Sequence, residues 1–129
     1  MSTLVTAGAY DNGNFQQVLT TSVNVGGAAG AFIAVAVGDF VDGSTTPSSC
    51  TYGGNALTLS GSATDGSGRD WALYTGITSL TGANNLVYTA STSVGYPAMC
   101  WIVRTGVDAT TPVSGVVSAS NPTSAAPSL

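Results

Sequence analysis

Turn signals cut this chain into apolar and β-branched runs spaced about ten residues apart, which suits strands and is too short for a helical domain. The breaks fall at Tyr10-Asp11-Asn12-Gly13-Asn14, Gly26-Gly27, Asp42-Gly43 with Pro47, Gly53-Gly54, Thr64 to Gly68, Thr81 to Asn84 and Thr92 to Gly95. Glycine supplies the positive φ of tight turns, and Asp and Asn cap turns through their side chains. Composition points the same way. The 129 residues hold six acidic groups, all Asp, and two Arg, with no Glu, Lys or His. Glu and Lys are the usual surface residues of exposed helices, so their absence argues against a helical protein.

The central stretch is Cys50 to Leu59, CTYGGNALTL. Gly-Gly between apolar or β-branched residues is a hairpin signal. Tyr52 leads in, and Leu57 and Leu59 alternate on the way out. Before it, residues 3 to 9 form a first strand. In Phe15 to Val25, Leu19, Thr21, Val23 and Val25 share a face. Ala31 to Val37 is apolar throughout and reads as a strand buried on both sides. Asp39 to Ser49 reads as a loop. After the hairpin, Arg69 to Ile77 puts Trp71, Leu73 and Thr75 on one face and Asp70, Ala72 and Tyr74 on the other. Asn85 to Ala90 is a strand, Ala98 to Thr105 is a second nearly continuous apolar strand, and Pro112 to Ser118 reads as a last one. The expected fold is one antiparallel β-sandwich of about eight or nine strands, jelly-roll-like, with an immunoglobulin-like sandwich as the alternative. The sandwich takes residues 1–120, and residues 121–129 form an extended, Pro- and Ser-rich C-terminal arm.

Charge and residue inventory exclude several function classes. A net charge of −4 with two widely separated Arg does not suit a nucleic-acid or membrane-surface partner, which needs clustered cations. The segment MSTLVTAGAY lacks the basic and apolar regions of a signal peptide, so synthesis in a cytoplasm is expected. Without His there is no Ser-His or Cys-His pair, and without Lys no Lys-assisted nucleophile. An Asp pair drawn from Asp39, Asp42, Asp65, Asp70 and Asp108 could in principle hydrolyse a glycoside, but each lies in or beside a loop where Asp serves as a turn cap. Asp11 to Asn14 and Asp39 to Asp42 offer oxygen ligands, yet no helix-loop-helix calcium pattern is present, and two Cys without His cannot hold zinc. No catalytic, cofactor or metal site is expected. Cys50 and Cys100 read as two reduced, buried thiols. The aromatics read as core, with Tyr10 and Tyr96, beside turns, the two expected at the surface.

Two motifs carry a resemblance. Thr51-Tyr52-Gly53-Gly54-Asn55-Ala56-Leu57-Thr58 resembles the TYGG-x-ALT hairpin of a β-sandwich domain family found in phage virion proteins and bacterial surface proteins. Trp71-Ala72-Leu73-Tyr74 stands where that family has its aromatic strand, and Gly106-Val107-Asp108-Ala109-Thr110-Thr111-Pro112 resembles its GVD-x-TTP turn. The resemblance spans roughly residues 15 to 120 and rests on structural motifs, namely turn glycines, an Asp-capped turn and a proline opening a strand. It implies a non-enzymatic virion protein, made in the host cytoplasm and similar to a capsid decoration (cement) protein. Such a protein would form a homo-oligomer and bind a major capsid protein or another virion protein. Contacts are then expected from the uncharged terminal segments and the exposed tyrosines, that is Met1, Thr3, Leu4, Tyr10, Tyr96, Pro122, Pro127 and Leu129. The alternative is a carbohydrate-binding module of a tail fibre or cell-surface protein.

Overall fold

The computed structural model describes residues 1–11, 13, 17–40, 47–64, 69–90 and 97–113. They form nine strands: β1 (Thr3–Asp11), β2 (Val18–Asn24), β3 (Ala31–Phe40), β4 (Pro47–Tyr52), β5 (Asn55–Ala56), β6 (Thr58–Thr64), β7 (Arg69–Thr78), β8 (Ala83–Ala90) and β9 (Ala98–Thr105). One sheet has the order β1-β9-β3-β7-β6 and the other β2-β8-β4-β5, with every pairing antiparallel. The pairs nest: β1 with β9, β3 with β7, β2 with β8, β4 with β5. This is the chain folded back on itself and wrapped into two sheets, the jelly-roll arrangement. In the immunoglobulin alternative β1 would pair with β2. Here those strands lie in different sheets.

The two sheets share one core. Leu19, Val23 and Val25 from the β2 segment, Cys50 and Tyr52 from β4, and Leu86, Tyr88 and Ala90 from β8 face Ala31, Ile33, Val35 and Val37 of β3, Ala72 and Tyr74 of β7, and Met99 and Val103 of β9. Alternation selects these residues, because a strand covered on one side buries every second side chain. The phases expected for the β2 and β7 segments hold.

The Gly53-Gly54 turn does form, with φ of 55° and 82° at its two central positions, the type I′ geometry that matches strand twist. Its returning arm is shorter than expected. Only Thr51–Ala56 and Tyr52–Asn55 pair, and after half-buried Leu57 the chain crosses to the other sheet as β6. Tyr52 locks the corner. Its hydroxyl lies 3.0 Å from the Val23 carbonyl oxygen and 3.1 Å from that of Gly82, and the Asn84 amide approaches it at 3.4 Å.

Three expectations need correction. The β3 strand is not buried on both faces, since Ala36 is exposed on the side away from the core. Asp39 to Ser49 is not all loop, because β3 continues to Phe40 and β4 begins at Pro47. Pro112 and Val113 lie outside any strand, and the rest of the strand expected over Pro112 to Ser118 falls outside the described residues.

Candidate interaction surfaces

Asp11 and Asp108 cap turns, whereas Asp39 and Asp70, expected as turn caps, lie in strands. Asp11 accepts a hydrogen bond from the Gly13 amide at 2.7 Å, and Asp108 accepts one from the Thr110 amide at 2.8 Å and one from the Thr111 hydroxyl at 3.3 Å. The Thr110 and Thr111 amides and hydroxyls hold the Asp108 carboxyl below its ordinary range, as donors to a carboxylate do. This is the capped turn the GVDATTP motif predicts. Asp39 and Asp70 occupy opposed register positions on β3 and β7, while Asp42 and Asp65 lie outside the described residues. Among the described residues no three of the His, Cys, Asp and Glu groups gather into a metal-binding cluster. Likewise, no helix among them is long and apolar enough to cross a membrane.

The two thiols are free and differ in setting. Cys50 is buried, and burial pushes its pKa up to about 12, which keeps it protonated and unreactive. Cys100, expected in the core, is exposed instead. Met99 and Val103 of the same strand face inward, and the alternation turns Cys100 outward.

Of the residues expected to touch a partner, Met1, Thr3 and Leu4 are exposed. The N-terminal segment is not a loose arm, however. Residues from Thr3 onward form edge strand β1, and Arg104 fastens Ser2 through its Nε to the Ser2 hydroxyl and its Nη2 to the Ser2 carbonyl, both at 3.1 Å. Tyr10 is half-buried and packs against the core. It shares the inner face of β1 with Gly8, whose missing side chain makes room for Trp101. Tyr96, Pro122, Pro127 and Leu129 lie outside the described residues.

The two outer faces of the sandwich differ in chemistry. The outward positions of the four-stranded sheet include Thr20, Ser22 and Asn24 of β2, Ser49 and Thr51 of β4, and Asn85 and Thr89 of β8. Such a polar face is what an antiparallel sheet presents to water. The five-stranded sheet instead presents four rows across its strands. Asp11, Ala98, Gly38 and Trp71 make the first and Ala9, Cys100, Ala36 and Leu73 the second. Ala7, Ile102, Ala34 and Thr75 make the third, and Leu4, Arg104, Phe32 and Ile77 the fourth. Two shallow apolar grooves run along this face, one beside Trp71 over Ala9, Ala36, Gly38 and Cys100, the other between Leu73 and Ile102 over Ala34 and Ala36. A solvated sheet of this size ordinarily shows Thr, Ser, Lys or Glu at such positions. The signal was present in the sequence as the two runs that are apolar at every position, AFIAVAV and AMCWIV.

Neither a protein-family model nor a curated protein nor a solved structure matches this chain.

Proposed function

We propose that this protein is a non-enzymatic structural protein of a phage virion, a capsid decoration (cement) protein that binds and stabilises the capsid lattice. The observation that carries the reading is the ordered pair of motifs, TYGGNALT at 51–58 and GVDATTP at 106–112, with their resemblance to a virion and surface β-sandwich family. The near absence of charge adds support, because a neutral Ser-, Thr- and Ala-rich surface can be buried against neighbours without desolvating ions. Edge strand β1, carrying exposed Thr3 and Leu4, offers unpaired backbone groups for strand addition. Many weak copies on one lattice would then hold by multivalency. Localisation on this reading is the virion, after synthesis in the host cytoplasm. A carbohydrate-binding module is less favoured, because the groove beside Trp71 is lined by Ala9, Gly38 and Cys100, without the polar partners a sugar requires.

The test is density-gradient sedimentation of the native protein from its source, with mass spectrometry of each fraction. Co-migration with particles beside a far more abundant shell protein is the expected outcome. Recovery only at the top of the gradient would remove the virion reading.

A further inference from the structure

We propose that the outer face of the five-stranded sheet packs against the same face of a second copy of this chain, forming a two-fold symmetric, face-to-face dimer. This inference rests on the chemistry of the face and stands whether or not the protein is part of a virion.

Size is the first argument. Four strands spaced about 4.8 Å apart and four rows spaced about 6.7 Å apart cover on the order of 500 Å² per copy, before any relief from the side chains. Two such faces bury about 1,000 Å² together, at the lower bound of specific interfaces and above the size of incidental contacts. A patch of this extent lies at the upper end of what a monomer exposes, and such patches are often functional.

Self-complementarity is the second. A two-fold axis lying in the interface and running across the strands, between the second and third rows, places each row over its mirror in the partner copy. Cys100 then sits opposite Ile102, and Gly38 opposite Phe32, so that small residues receive large ones. Ala36 sits opposite Ala34 near the axis, where the two sheets approach closest.

Charge is the third. Among the described side chains this face carries two charged groups, Asp11 in the first row and Arg104 in the fourth. The same axis brings the Arg104 row of one copy over the Asp11 row of the other, one strand apart, at both ends of the interface. No like charges oppose each other among these groups. A different protein could cover the face, but the pairing of small with large residues on β3 and β9 and of opposite charges under one two-fold axis favours a second copy.

The experiment is sedimentation equilibrium of the full chain across a concentration series, run beside the alkylation rate of Cys100 with a small maleimide. Cys50 is buried and serves as the unreactive internal control. The expected result is a monomer–dimer equilibrium in which the Cys100 rate falls at least about tenfold as the dimer populates, in proportion to the monomer remaining. Ala36→Lys, at an exposed position, buries an unpaired ammonium near the axis. It should weaken association by about 100-fold or more while the circular dichroism spectrum is retained. Asp11→Lys, at the rim, should weaken it less and reverse its salt dependence, because a Lys there faces Arg104 and salt screens the repulsion. Should either variant fail to fold, the concentration dependence of the wild-type Cys100 rate still decides. A wild-type monomer at every concentration overturns the proposal. So does an oligomer in which Cys100 stays fully reactive, or one that persists unchanged in folded Ala36→Lys. A monomer in solution whose Cys100 is shielded only on particles also overturns it, and assigns the face to another protein.

Discussion

Two tyrosines of the core invite the same one-atom change with opposite results. Tyr74 on β7 is 2 % exposed, and its hydroxyl has no hydrogen-bond partner among the described residues. Tyr52 on β4 is 1 % exposed, and its hydroxyl reaches two carbonyls and an amide. Removing a buried hydroxyl that has no partner relieves a desolvation cost of about 1–3 kcal/mol, part of which returns as a small void. Tyr74→Phe should therefore stabilise the protein by about 1 kcal/mol. Tyr52→Phe loses a net hydrogen bond to the Val23 and Gly82 carbonyls, the second of which keeps the Val25 amide at 3.0 Å. It should cost about 1–2 kcal/mol. The gap between the two variants, about 2–3 kcal/mol, corresponds to roughly 8–12 °C in Tm at this chain length. Urea titration followed by Trp71 and Trp101 fluorescence measures it, at one fixed protein concentration so that self-association does not enter. The slope m should stay constant while the midpoint moves up for one variant and down for the other. If Tyr74→Phe destabilises as much as Tyr52→Phe, the Tyr74 hydroxyl has a partner and the reasoning fails.

Gly8→Ala places a Cβ 2.5 Å from Cζ2 of Trp101, so the indole must move; in a Trp71→Phe background the variant should lose about 1–3 kcal/mol and shift the remaining Trp emission to the red. At high pH the folded protein should weaken through two buried acids. Burial raises the Cys50 thiol from 9.0 to about 12, and burial together with the neighbouring Cys50 raises the Tyr74 phenol from 10.0 to about 12. Both stay protonated in the fold while the unfolded chain releases its protons. Stability is thus whole below pH 9 and falls by about 1.4 kcal/mol per pH unit for each ionising group above its ordinary value, up to about pH 12. Urea midpoints measured from pH 8 to 11 should show this decline. Cys50→Ala should delay its onset by about one pH unit, because only Tyr74 then remains.

The fold was legible because it is written in local signals. Gly53-Gly54 specifies a turn whatever surrounds it, and the alternation of Leu19, Val23 and Val25, or of Ala72 and Tyr74, assigns the inner face without knowledge of the partner. The misread positions depend on distant partners. Nothing near Leu57 tells the chain to leave one sheet for the other. That handover is set by β7, which offers β6 its edge. Tyr10 lies beside a turn and reads as exposed, yet the gap at Gly8 and the ring of Trp101 across the strand pair draw that face inward. The apolar run around Val35 reads as covered on both sides. Alternation alone cannot say whether the second cover is a layer of the same chain or another molecule, and within this fold the outer side is left open. Cys100 was legible in part, since its neighbours Met99 and Trp101 share the opposite phase.

The nesting of the strands has a kinetic consequence. Thr3 pairs with Thr105, so the outermost strand of the sheet finds its partner only after about a hundred intervening residues have been made. During synthesis β1 waits with its backbone unpaired until β9 leaves the ribosome, and the domain cannot close strand by strand behind the growing chain. Folding should therefore wait for β9 and be slow, on the millisecond-to-second scale of high-contact-order β proteins. The apolar strands β3 and β9 are the segments most exposed to aggregation during that wait.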